Sequence, residues 1–209
     1  MSDIADQTND VHRAVGSRAV PEGDARTVTL RRTYDAAIEE VWAACTDRER
    51  IARWFLPVSG DLRLGGHYRL EGNAGGEILR CEPPRLLTVS WLFGENPGFS
   101  EVEVRLTADG GERTVFELEH VAVVPAEMWD RFGPGATGVG WDLGLLGLGL
   151  HLRGESIGDP AAWEETDEAR AYAARSSEAW GAAYEASGAP ADVAAAAARA
   201  TTRFYVPER

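Results

Sequence analysis

The stretch 133-GPGATGVGWDLGLLGLGLHL-152 decides how the rest of the chain is read. Its first six residues, Gly133 to Gly138, match the G-x-G-x-x-G pattern of dinucleotide-binding loops. Glu155 and Asp159 lie near where a ribose-binding acid would stand. The context argues against that chemistry. A dinucleotide loop joins a parallel strand to a helix, whereas "PAEMWDRF" before the glycines has a helical pattern and "RGESIGDPAAW" after them holds no buried strand. A G-x-x-x-x-G-K-[ST] phosphate loop cannot occur, because every one of the 21 basic residues is Arg. The apolar run Leu143 to Leu150 is far short of the ~20 residues that cross a bilayer, and Asp142 and His151 bracket it. Packing is the remaining account.

The spacing predicts a helix from about Ala136 to Leu152, broken from the preceding helical piece by Gly-Pro-Gly. Trp141, Leu145, Leu148 and Leu152 recur at helical spacing on one face, and Leu143, Leu146 and Leu150 cover others. Such a helix is expected to be buried on more than one side. Gly140, Gly144, Gly147 and Gly149 each cost roughly 1 kcal/mol against Ala inside a helix, about 4 kcal/mol together. Close approach of a neighbour, or open space for a guest, must offset that cost.

Upstream, the pattern is that of an antiparallel sheet with one wet face. "RTVTLRRTY" (26–34) reads as a first strand. Asp35 is expected to cap a helix carrying Ile38, Val41, Trp42 and Cys45, and Asp47 to cap a short second helix with Ile51, Trp54 and Phe55. Strands follow at "GDLRL", "HYRLEG", "GEILRCE", "RLLTVSWLF", "SEVEVRLTAD" and "RTVFELEHV", separated by Gly and Pro. Val102, Val104 and Leu106 share one face of their strand; Phe116, Leu118 and His120 share one face of the next. Residues 1–25, polar and aperiodic, read as a flexible tail. Residues 26–153 form the main domain, and 154–209 a helical extension. Asp159-Pro160 starts a helix there, Gly188 ends it, and a second helix follows. Ala169, Tyr172, Ala173, Ser176, Trp180, Ala183 and Tyr184 form its docking face.

Composition bounds the function. A net charge of −13 over 209 residues repels phosphate backbones, so nucleic acid is not an expected partner. No secretory leader is visible, and a cytoplasmic location without membrane contact is expected. Cys45 and Cys81 form neither a C-x-x-C nor a zinc spacing, so no metal is expected. The sequence holds no G-x-S-x-G and no H-E-x-x-H. His120 shares a face with Phe116 and Leu118, and reads either as a hydrogen-bonded core residue or as a ligand contact. Asp142 reads as bonded to a neighbouring segment rather than catalytic. Seven tryptophans serve as core mass or line an apolar cavity.

The succession "RTYDAAIEEVWAACTDRERIARWFLP", "GDLRLGG", "GGEILRCEPPRLLTVSW" and "GVGWD" resembles the START-like, or SRPBCC, superfamily. More narrowly it is similar to the branch named after the activator of the 90-kDa heat-shock-protein ATPase. The resemblance covers about residues 26–152. It implies an α+β helix-grip fold: a curved antiparallel sheet around a long C-terminal helix, two short helices at one end, and a cavity between sheet and helix. It also implies, by position, a ligand-binding set of Trp54, Phe55, Tyr68, Trp91, Phe116, His120, Trp141 and Leu145. The function expected is binding of a small hydrophobic molecule, without assigned catalysis and without a cofactor, in a cavity of several hundred Å³. Two alternatives stay open. One is a protein-interaction or chaperone-cofactor module, a homodimer included, acting through its surface and C-terminal helices. The other is a cyclase- or hydrolase-type enzyme using the same cavity.

Overall fold

The computed structural model of the chain describes residues 4–94 and 98–207. Eight strands form one antiparallel, curved, open sheet. They are β1 (His12–Val20), β2 (Gly23–Tyr34), β3 (Val58–Gly60), β4 (His67–Leu70), β5 (Gly75–Glu82), β6 (Leu86–Ser90), β7 (Ser100–Ala108) and β8 (Thr114–Ala122), in the order β1-β2-β8-β7-β6-β5-β4-β3. Two short helices, α1 (Ile38–Thr46) and α2 (Arg48–Trp54), connect β2 to β3. The chain then runs through α3 (Ala126–Phe132) into the long α4 (Gly135–Leu152). The extension holds α5 (Pro160–Glu164), α6 (Asp167–Ala186) and α7 (Ala191–Tyr205). This is the helix-grip architecture, with an added helical layer.

The alternation of the central strands places their faces correctly. Phe116 pairs with Leu106 and Leu118 with Val104 across β8 and β7, and Leu30 lies opposite Leu118 across β2. Side chains directly opposite share a face, so these residues line the concave side that receives α4. Gly133 ends α3 at φ 53°, a left-handed conformation that favours glycine. One side of α4 meets the sheet. Leu146 and Leu150 on another side pack with Trp163, Ala169 and Tyr172 of α5 and α6. No helix among the described residues is long and apolar enough to cross a membrane.

Four local expectations are corrected. The segment read as a flexible tail contains a 3-10 helix (Ile4–Asp10) and β1, which pairs with β2 over its full length. Asp35 does not cap α1: Ala37 occupies the cap position without a side-chain bond, and Asp35 stands in solvent 3.9 Å from Arg113. "GDLRL" is not a strand, because pairing stops at Gly60 and the chain turns at Gly65, φ 75°. The helix starting at Pro160 ends at Glu164, and Thr166 caps a new one by accepting from the Ala169 N–H. Asp47 does cap α2, accepting the Arg50 N–H at 3.0 Å.

The N-terminal segment and the extension meet at Asp142, which is fully buried on α4. Arg13 of β1 donates Nε and Nη2 to its two oxygens at 3.0 and 2.9 Å. Ser176 and Trp180 of α6 donate to Oδ2 at 2.5 and 2.9 Å. Tyr172 donates to the Asp142 backbone carbonyl at 2.9 Å. Burial pushes this carboxyl up, and the Arg13 charge with the hydroxyl and indole donors pulls against that rise. The arrangement fits the requirement that a buried charge be paired and fully hydrogen-bonded. It also ties three chain-distant segments to one side chain.

A sheet–helix cavity as the candidate functional site

Between the concave sheet face, α2 and α4 lies a cavity of ≈ 170 Å³. Seven of the eight residues anticipated for it line the wall: Trp54, Phe55, Tyr68, Trp91, Phe116, Trp141 and Leu145. Phe55, Trp91 and Trp141 form an aromatic cluster: Trp91 lies 4.8 Å from Trp141 by ring centroids, and Phe55 lies 6.4 Å from each. Among the described residues no Arg, Asp or Glu lines the cavity. The volume is smaller than the several hundred Å³ anticipated, because large indoles occupy the space that smaller wall residues would leave open.

His120 does not line the cavity. It stands behind Trp141, whose indole N–H donates to His120 Nδ1 at 3.0 Å. Accepting there leaves the His120 proton on Nε2, which faces Ser100 Oγ at 2.8 Å. Burial pushes the His120 pKa down to about 4. The imidazole is therefore a neutral strut that orients one wall of the cavity. A group held neutral in the fold but ordinary when unfolded loses stability as pH falls. The unfolded chain gains a proton near pH 6.5 that the folded chain takes up only near 4. Urea unfolding is thus expected to show a loss on the order of 1–3 kcal/mol between pH 7 and 4 from this residue. His120→Gln, which cannot titrate, flattens that part of the profile. An unchanged slope in the variant assigns the loss elsewhere.

Residues not anticipated complete the wall. Ile78 and Cys81 both face the cavity, although strict alternation would send them to opposite faces. A register shift between Ile78 and Arg80 on β5 inserts the extra residue that changes the parity. Cys45 and Thr46, at the end of α1, close one end. Burial pushes the Cys45 thiol up to about 12, so it is a neutral thiol rather than a thiolate nucleophile. Among the described residues no three His, Cys, Asp or Glu side chains gather in a way that would hold a metal ion. The wall offers apolar surface, aromatic faces and few polar atoms, which suits it to enclosing a hydrophobic guest.

The glycines of α4 divide between packing and space. A Cβ on Gly147 would lie 2.5 Å from the Trp54 carbonyl oxygen, so α2 approaches α4 only because that position is bare. A Cβ on Gly138 would enter the Trp180 indole. Gly144 differs. It lines the cavity, and a Cβ there would meet only Phe55, at 3.7 Å, an ordinary contact.

Comparison with known proteins agrees with this architecture. The family model described as Activator of Hsp90 ATPase homolog 1-like protein matches residues 35–148. The crystal structure of CalU16 from Micromonospora echinospora is 43% identical, covering 84% of this chain and 98% of that one with a TM-score of 0.66. The solution NMR structure of CalU16 is 42% identical over 85% and 97% of the two chains, TM-score 0.69. DynU16, a protein in the dynemicin biosynthetic locus, is 25% identical, covering 61% of this chain and 47% of that one with a TM-score of 0.52. No curated protein matches the chain significantly. The sheet order, the gripped helix and the matched span together place the chain in the Activator of Hsp90 ATPase homolog 1-like family, within the START-like fold.

Proposed function

We propose that the protein binds a small hydrophobic molecule in the sheet–helix cavity and holds it without chemical change. The observation that carries this reading is the void itself. Interiors otherwise pack with few spaces larger than a water molecule, and unfilled core volume costs roughly 24 cal/mol per Å³, on the order of 4 kcal/mol for a void of this size. Keeping it open with a bare Gly144 on the helix adds about 1 kcal/mol. A guest that buries its own apolar surface there offsets both. The place of DynU16 in a biosynthetic locus supports a small-molecule ligand rather than a macromolecular one.

The test is direct. Native mass spectrometry with organic extraction of the purified protein reports any molecule that co-purifies. Gly144→Leu extends an isobutyl group into the cavity. It is expected to weaken binding of that molecule by at least about thirtyfold, or 2 kcal/mol, while far-UV circular dichroism stays unchanged. Equal affinity in the variant would place the ligand outside the cavity.

Docking of a protein partner on α3 and α7 is the second reading. Met128, Val193 and Phe204 on these mutually packed helices are 47%, 39% and 61% exposed. A partner that binds equally well to the Gly144→Leu variant, and is lost when Phe204 becomes Ser, would favour it.

A further inference from the structure

The hydrogen-bonding state of the cavity wall narrows the guest further. Nearly every indole or hydroxyl donor in the wall is already committed to the protein. Trp54 donates to the Ala44 carbonyl at 2.9 Å and Tyr68 to the Ser90 carbonyl at 2.8 Å. Trp141 donates to His120 at 3.0 Å, and Thr46 to the Trp42 carbonyl at 2.8 Å. The exception is Trp91. Its ring packs against Trp141, Phe55, Tyr68 and His120, but its indole N–H has no acceptor among the described residues. That nitrogen is not sealed from solvent, so its hydrogen-bonding capacity is open to a molecule that reaches it.

Resting on the cavity-binding reading above, we infer that the guest is a neutral, single-ring aromatic molecule carrying one hydrogen-bond acceptor, such as an aryl ketone, which accepts from the Trp91 indole N–H. Three observations define this class. Size comes first: a cavity of ≈ 170 Å³ is close to the ~150 Å³ engineered cavity that accepts benzene. Charge is second. With no Arg, Asp or Glu among the described residues of the wall, an ionised guest would lose its hydration with no opposite charge there to replace it. Polarity is third. A guest donor would find its best acceptors already occupied, whereas one guest acceptor can pair with the one uncommitted indole. The faces of Phe55, Trp91 and Trp141 supply aromatic contact to the ring.

Four probes of nearly equal shape separate these properties: cumene, acetophenone, benzamide and benzoate. Each is titrated into the full chain while the methyl resonances of Val102, Leu145 and Leu148, all in the cavity wall, report where it binds. Cumene and acetophenone are expected to shift these methyls with affinities within about tenfold of each other, although the ketone must leave water. Benzamide is expected to bind roughly tenfold more weakly than acetophenone and benzoate roughly a hundredfold more weakly. In Trp91→Phe, both probes lose the shared indole contact, and acetophenone is expected to lose roughly three- to tenfold more affinity than cumene, whose continued shift of the cavity methyls shows that the cavity persists. Benzoate binding as tightly as acetophenone overturns the inferred class. So does an acetophenone-to-cumene ratio that Trp91→Phe leaves unchanged. In both cases the cavity-binding reading stands. If none of the four probes shifts the cavity methyls, the cavity-binding reading falls as well.

Discussion

Asp142→Ala is expected to lower the unfolding free energy by about 3–5 kcal/mol, the range for breaking a buried ion pair by removing one partner. The partner left behind is Arg13, only 6% exposed as a side chain. Its remaining bonds go to the Thr8 and Val11 carbonyls at 3.0 Å, which accept hydrogen bonds but carry no compensating charge. Ser176 and Trp180, both fully buried, lose their acceptor at the same time, each at a cost of roughly 1–3 kcal/mol when left unsatisfied. For a chain of this length that corresponds to a fall in the midpoint of thermal unfolding of roughly 6–20 °C. Chemical denaturation of both single variants and of Arg13→Met/Asp142→Ala measures the coupling. The double variant is expected to recover part of the loss, because the orphaned guanidinium is gone, but not all of it, because Ser176 and Trp180 still lack an acceptor. A loss below 1 kcal/mol in Asp142→Ala would show that water replaces the carboxylate and that the three segments are not tied through it. The consequence reaches the candidate site, since Asp142 sits between Trp141 and Gly144 on the helix that forms one cavity wall. A loosened α4 is expected to weaken ligand binding as well as stability.

The same residue shows where reading the sequence reached its limit. Its isolation on an apolar helix was enough to mark Asp142 as bonded to another segment. The identity of that segment was out of reach, because Arg13 is 129 residues away in a stretch without apolar alternation. β1 is an edge strand with Ala, Gly and Ser among its residues and most of its side chains in solvent. Its stability comes from its ladder with β2 and from the Arg13 anchor, neither of which leaves a local pattern. The central strands were legible for the opposite reason. Each is covered on one side by α4, so burial imposes the period-two alternation seen at Val102, Val104, Leu106 and at Phe116, Leu118. The rule breaks down at Cys81, where the β5 irregularity changes parity. It also put His120 on the correct side of the sheet without revealing that Trp141 would stand between it and the cavity.

Substituting alanine for two glycines six residues apart on α4 is expected to change stability in opposite directions. At Gly138 the new methyl would occupy the space of the Trp180 ring. That ring is fully buried, and its N–H is held by Asp142 at 2.9 Å, so it has no rotamer into which to retreat. Either α4 and α6 separate or the indole leaves its acceptor. Overpacking of this kind costs about 1–3 kcal/mol and the lost hydrogen bond adds roughly 1–3. Alanine returns only about 1 kcal/mol through helix propensity, leaving a net loss of about 2–4 kcal/mol. At Gly144 the methyl makes an ordinary contact with Phe55 and fills part of the void. The propensity gain is then unopposed, and the variant is expected to be more stable by up to about 1 kcal/mol. Urea midpoints of the two variants, measured side by side, decide the matter. A stable Gly138→Ala would mean that the helical extension is not packed on α4 as closely as the structure shows. A destabilised Gly144→Ala would mean that no open space lies beside this glycine. A more stable Gly144→Ala that binds cumene less tightly than the parent chain would locate the function in that space, because the parent then carries a stability cost at the point where a ligand needs room.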